Sequence, residues 1–247
     1  MVQSRSHCLL LVGITICASI GCTQVADDLT IGRVDGIGTL RLVDGHFEVV
    51  DREASIEKGD FPTGMAFSLA DSDFTDADLN ELAKRNDIIA LNLSNTKITD
   101  AGLAAVKRMV SLRRLILDGT QISDNGLAHL KTLPHLRDLS LANTQIGNEG
   151  LRHLTGMGKL EMLALRNTRV TNDGLQNLKP NGSLVVLDLA ETQVSDAGVP
   201  HLVGCKNLRF LNLQDTEVSP AGTDELRRGL PTVQLGPFDC LAPLTKN

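Results

Sequence analysis

From Thr63 to Leu230 the apolar positions return every 24 residues, without insertion or deletion, through seven consecutive blocks. Numbering each block from 1 to 24, position 2 reads Ile88, Leu112, Leu136, Leu160, Leu184 and Leu208. Position 5 is Phe67 and then Leu in every block, and position 7 is Leu throughout, from Leu69 to Leu213. Positions 5 and 7 have the two-residue spacing of a strand. Positions 17 and 20, as in Leu127 and Leu130 or Leu151 and Leu154, have the three-residue spacing of a helix face. Position 12, between them, runs from Phe74 through Ile98, Ile122 and Ile146 to Val218. Each block therefore predicts a short strand, a turn and a short helix. One such unit encloses too little apolar surface to fold alone, so the blocks must stack into a single continuous core.

Three polar or small columns punctuate this pattern. Position 10 is Ser72 followed by Thr96, Thr120, Thr144, Thr168, Thr192 and Thr216, a hydroxyl in the turn after every strand. A buried turn leaves backbone groups in need of partners, so this column is expected to form an internal hydrogen-bond ladder. Position 14 carries Asp76, Asp100, Asp124 and Asp196, with Asn148 and Asn172. At the start of each helix these residues are expected to cap free N–H groups and meet the positive end of the helix. Gly102 and its counterparts at position 16 are expected to serve packing.

The shared pattern, LxxLxLxxTx(I/V)(S/T)DxGLxxL, resembles the leucine-rich repeat, whose signature is L-x-x-L-x-L-x-x-N/C-x-L. Its tail, seen as ITDAGLAAV from Ile98 and VSDAGVPHL from Val194, is similar to the cysteine-containing, ribonuclease-inhibitor-like subclass, although Thr stands where that family uses Asn or Cys. The resemblance covers 168 of the 247 residues. It implies an α/β solenoid with a curved parallel sheet on the concave side and short helices on the convex side. It implies little about function, because the scaffold serves many unrelated partners.

The flanks depart from the period. Arg5, the apolar run from Cys8 to Ile20 and the Gly21-Cys22 junction read as an export signal over residues 1–21, with an apolar stretch too short to span a bilayer. The junction resembles a lipobox, with Ser19 in place of the usual Leu, which makes Cys22 the expected lipidation site; plain secretion and an uncleaved anchor are the alternatives. Residues 22–62 are expected to form a tether and N-terminal cap, with a hairpin over 40–49 turning at Asp44-Gly45. Residues 231–247 are expected to form a C-terminal cap. Cys205 and Cys240 remain in a compartment that permits disulfides. Their places in the repeat favour unpaired thiols, with a capping disulfide as the alternative.

Charge and composition narrow the function. Without residues 1–21 the chain has 23 Lys and Arg against 30 Asp and Glu, a poor balance for binding polyanions, and it has neither Trp nor Tyr on which bases could stack. His129, His153 and His201 share position 19 without a third converging ligand, so no metal is expected. No nucleophile paired with a base and no phosphate-cradling glycine loop occurs in the repeats, so neither enzymatic activity nor a cofactor is expected.

The remaining candidate surface is the inner face of the strands, positions 4, 6, 8 and 9, where the blocks differ while the core columns stay constant. Arg114, Asp118, Asp138, Met162, Arg166, Val186, Asp188, Phe210 and Asn212 are the expected partner-binding residues. Met162, Val186 and Phe210 share position 4 and are expected to form an apolar stripe with a polar rim, as at protein interfaces. The expectation is a noncatalytic protein-binding scaffold in the cell envelope, held to the membrane through lipid on Cys22 and binding an extracytoplasmic protein rather than nucleic acid. The alternative is a glycan or cell-wall ligand on the same face, disfavoured by the scarcity of aromatic residues.

Overall fold

A computed structural model of the chain describes residues 29–34, 38–43, 46–50, 65–178 and 181–236. Two sheets are present among them. The first is antiparallel and three-stranded, in the order β1 (Leu29–Val34), β2 (Gly38–Val43), β3 (His46–Val50), with Thr39 opposite Val50 and Val43 opposite His46. Strand β1 lies beside the first strand of the second sheet.

The second sheet holds eight parallel strands in sequential order. They are β4 (Met65–Ser68), β5 (Ile88–Asn92), β6 (Arg114–Ile116), β7 (Asp138–Ser140), β8 (Met162–Ala164), β9 (Val186–Asp188), β10 (Phe210–Asn212) and β11 (Gln234–Leu235). Between them lie α1 (Asp76–Leu82), α2 (Asp100–Val106), α3 (Asp124–Leu127), α4 (Asn148–Leu154), α5 (Asn172–Leu175), α6 (Val199–Val203) and α7 (Pro220–Gly229). Short 3-10 turns at Leu130–Thr132 and Asp196–Gly198 flank α3 and α6. From β5 to β11 each strand pairs with the residue 24 positions on, for example Leu139 with Leu163 and Leu163 with Leu187. The architecture is the α/β solenoid that the spacing predicts, with the parallel sheet that the resemblance to leucine-rich repeats implies.

The core follows the columns. Side chains at positions 2, 5, 7, 12, 17 and 20 of the middle blocks are buried, joining strand, turn and helix of every repeat in one cluster. Beyond the strands, backbone bonds continue the stacking: Leu141 N–H donates to the Ala164 carbonyl, Asn143 N–H to the Arg166 carbonyl and Gln145 N–H to the Ile122 carbonyl. The turn backbone is thus satisfied by adjacent repeats as well as by its own, so repeats cannot part without stranding polar groups.

The hydroxyl column works differently from the expected ladder. Each hydroxyl donates to the carbonyl three residues earlier in its own repeat: Thr96 to Leu93 at 2.6 Å, Thr144 to Leu141 at 2.6 Å and Thr192 to Leu189 at 2.6 Å. The tight turn brings that carbonyl within reach, while the next threonine lies a full strand spacing away. The column closes seven separate turns.

The ladder between repeats lies instead at position 14. Asp100 accepts from Ser123 N–H at 2.8 Å and from the Ser123 hydroxyl at 2.5 Å; Asp76 does the same for Thr99 at 2.9 and 2.6 Å, and Asp196 for Ser219 at 2.8 and 2.6 Å. Where the column is Asn, the amide oxygen accepts the N–H and the amide nitrogen donates to the hydroxyl, as from Asn148 to Thr171 and from Asn172 to Ser195. These side chains therefore hold the residue that opens the next repeat's helix, rather than capping their own.

This ladder dictates the glycine column. A Cβ at Gly102, Gly126, Gly150, Gly174, Gly198 or Gly222 would stand 2.1–2.6 Å from the Asp or Asn oxygen of the repeat before it. The two end repeats depart accordingly. Among the described residues no repeat precedes repeat 1, and its position 16 is Asp78, whose carboxylate accepts from both Thr75 N–H at 2.9 Å and the Thr75 hydroxyl at 2.7 Å. Repeat 7 has Pro220 at position 14, and among the described residues no further helix follows that would need holding.

Candidate functional site

The inner face is laid out by strand pairing. Position 4 places Arg114, Asp138, Met162, Val186 and Phe210 side by side on five successive strands. Arg114 reaches Asp138 through Nε and one terminal nitrogen, each 2.8 Å from Oδ2. Met162 and Val186 follow, and Phe210 is half-buried at the end of the row. The predicted stripe is thus contiguous, but it is not open. Met162 and Val186 are each only 3% exposed and form, with Ala164, a second apolar cluster against which Val185 and Phe210 pack. Met162 lies between Asp138 and Val186 on the flanking strands, and contact with Val186 and Ala164 leaves little of it open.

The polar candidates divide into two kinds. Asp188 and Asn212, 6% and 2% exposed, sit at position 6 and accept from the N–H two residues on, Ala190 at 2.9 Å and Gln214 at 3.1 Å. Asn92 accepts from Ser94 N–H in the same way at 3.0 Å. In repeat 4, where position 6 is Ser140, the corresponding N–H of Ala142 is taken at 2.8 Å by Asp118 of the preceding repeat, which also accepts from the Ser140 hydroxyl at 2.6 Å. These carboxylates and amides complete the turn at the strand end. Burial pushes the Asp118 carboxyl up from its ordinary value; the Ser140 and Ala142 donors pull it down, and the charge of Asp188 adds to the rise.

The second kind faces solvent. Arg166, at position 8, pairs with Glu191 of the next repeat. That bond raises its guanidinium pKa, against burial, and the charges of Glu191, Asp188 and Asp215 add to the rise. Position 9, one of the inner-face positions at which the blocks differ, is constrained in every repeat by a left-handed backbone. Asp71, Asn95, Gly119, Asn143, Asn167, Glu191 and Asp215 all have φ between 51° and 65°. Gly, Asn and Asp tolerate this region. Glu191 is the exception, and its partnership with Arg166 ties two repeats together at that point. The signal was present in the column, where six of seven residues are Gly, Asn or Asp.

Other predicted positions fall elsewhere. Cys22 and Cys240 lie outside the described residues; Cys205 is buried, with its sulfur 3.9 Å from the His201 carbonyl. Among the described residues no three His, Cys, Asp or Glu side chains gather in a way that could hold a metal ion, and no helix is long and apolar enough to cross a membrane. Two hollows lie away from the inner face, one beside Asn80, Lys84 and Arg108 and one beside Lys131, Met157 and Lys159.

The chain carries leucine-rich repeats: a family profile described as Leucine Rich repeat matches residues 87–107 and 132–154. A search of curated proteins finds no match. Among solved structures, an internalin from Listeria monocytogenes is 18% identical with a TM-score of 0.52, covering 72% of this chain and 55% of its own. An internalin C2 from the same organism is 26% identical with a TM-score of 0.49, covering 71% of this chain and 78% of its own. An LRR protein of Leptospira interrogans is 20% identical with a TM-score of 0.48, covering 64% and 45%. The chain thus spans about half the length of the first and last of these three. The likeness is one of fold.

Proposed function

We propose that the chain is a noncatalytic scaffold that binds another protein on the inner face of its solenoid, outside the cytoplasm. The observation that carries this reading is the contrast between rows. Core, turn and ladder positions repeat almost unchanged, whereas the exposed part of the inner face differs from repeat to repeat and includes a Glu held in a backbone conformation that disfavours it. Contact would fall on the Arg114–Asp138 pair, the Arg166–Glu191 pair, Asp118 and the exposed edge of Phe210, with Met162, Val186, Asp188 and Asn212 forming the floor beneath them. A protein partner suits this face, because charged pairs flanking one aromatic edge match the composition of interface contacts. A sugar ligand would have only Phe210 on which to stack. On this reading an export signal over residues 1–21 and lipid on Cys22 would hold the scaffold in the cell envelope.

The test is capture from an envelope extract with the chain as bait. Wild type should retain one protein in stoichiometric amount. The double substitution Arg114→Glu and Arg166→Glu should lose it, while Arg152→Glu on the outer helices should keep it. Equal capture by all three chains would overturn the assignment to the inner face, and retention on sugar columns alone would replace the protein partner with a glycan.

A further inference from the structure

The two long edges of the solenoid carry opposite charge. Positions 8–16, which lead from strand end to helix start, hold thirteen Asp or Glu against three Lys or Arg across the seven repeats. Positions 21–24 and 1–3, which lead from helix end back to strand start, hold thirteen Lys or Arg against two acids, Asp87 and Glu161. The overall acidity of the chain conceals this separation. Because the repeats share one length and one register, their strand-start loops end level with one another, and the cations form a continuous rim from Lys84 to Arg228.

Helix electrostatics account for part of the rim, since cations are favoured at helix C-termini. They do not account for Arg113, Arg137 and Arg209 at position 3, Lys159 at position 1 or Lys206 at position 24, which stand beyond the helix ends where the chain enters the strand. All five are exposed. Of these, only Arg137 has an acidic partner among the described residues, Glu161 at 2.7 Å. The rim also holds the one exposed large apolar side chain among the described residues, Val110, 48% exposed and between Arg108 and Arg113.

We propose that this rim is a docking edge for an anionic lipid bilayer, on which the solenoid stands with its acidic edge turned away and its inner face open to the side. A level row of cations with an exposed aliphatic residue among them matches a planar surface of negative headgroups over an apolar interior. Each Lys or Arg brought near such a surface strengthens binding about fivefold. A concave protein groove or a single anion would engage only a few of the rim residues, while a plane engages the row. The rim is separate from the inner-face partner site and does not depend on lipid at Cys22.

The test compares full-length chains on vesicles of phosphatidylcholine alone and of phosphatidylcholine with phosphatidylglycerol, at low and high salt. The leader segment is common to every chain and both vesicle types. Wild type should bind the anionic vesicles at least about tenfold more tightly, with the preference fading in high salt. Combining Lys107→Glu, Arg113→Glu, Lys131→Glu and Lys159→Glu should abolish the preference, a fall of about a hundredfold or more. All four side chains are exposed, so the melting midpoint checks that the fold is kept. Arg114→Glu with Arg166→Glu, which disables the proposed partner face, should leave vesicle binding unchanged, and the rim variant should still capture the inner-face partner. A wild type indifferent to lipid charge, a rim variant that keeps the preference, or an inner-face variant that loses it equally would overturn the proposal. Retention on an acidic polypeptide without discrimination between vesicles would overturn it in favour of an acidic protein.

Discussion

The turn edge and the inner face share one register, yet a change in one repeat has different consequences in each. On the turn edge the side chains at positions 14 and 16 answer to the neighbouring repeat: Asp100 holds Ser123, and the space it occupies forces Gly126 to have no side chain. On the inner face Arg114–Asp138 and Arg166–Glu191 also bridge repeats, but no backbone bond depends on those pairs. An ion pair at a partly exposed site contributes little to stability. One region specifies the stack, while the other is free to specify a partner.

The sharpest way to break the comparison is to fill the space the ladder needs. Gly150→Ala sets a methyl group 2.5 Å from the Asp124 oxygen and 3.2 Å from side-chain carbons of Ile146 and Leu127; that oxygen is held by Gly147 N–H and both carbons are buried in the core, so the neighbours have little room to give. We expect a loss of about 3 kcal/mol by denaturant unfolding, from overpacking and a displaced hydrogen bond together. The same substitution in an Asp124→Ala background should cost less, because the oxygen is gone. Equal losses in both backgrounds would separate the glycine from the ladder.

Removing the ladder residue comes next. Asp100→Ala leaves the Ser123 N–H and hydroxyl without their acceptor, a loss of about 2 kcal/mol. Asp100→Asn should be close to neutral, because Asn148 and Asn172 already make the equivalent bonds. Thr144→Val is expected to be smaller, about 1 kcal/mol, since it opens one turn within one repeat. Thermal melts of the three variants would rank them. A threonine effect larger than that of Asp100→Ala would put the cross-repeat bond in the wrong column.

These ranks mark what the sequence made legible. The core, the repeat boundaries and the strand–turn–helix order followed from apolar spacing, because burial acts on each column alike. The hydroxyl column was visible, but its partner was not: a constant threonine fits a bond within its repeat and a bond between repeats equally well. The Asp and Gly columns were read separately, as cap and as packing, when each explains the other across a repeat boundary 24 residues away. On the inner face, position 4 showed that Met162, Val186 and Phe210 are neighbours but not that two of them are enclosed, since exposure depends on how the surrounding side chains pack. Asp188 and Asn212 looked like ligand-binding groups because a side chain that closes a turn and one that meets a partner can be the same residue type.

The smallest expected effect is the one that separates the two regions most cleanly. Glu191 has φ of 56°, the left-handed region that Gly119, Asn143 and Asn167 occupy at the same position. A residue that carries a Cβ loses about 1 kcal/mol there relative to glycine, and Asn recovers much of that through its short polar side chain. Glu191→Asn should therefore raise stability by about 0.5 kcal/mol, even though it discards the ion pair with Arg166, because a partly exposed pair is worth no more than the backbone relief. A position that a turn alone had shaped would gain stability without a functional consequence. If Glu191 is retained for recognition, the same substitution should raise the melting midpoint slightly and weaken capture of the inner-face partner. Loss of stability would mean that the Arg166 pair outweighs the turn, and unchanged capture would remove Glu191 from the binding face.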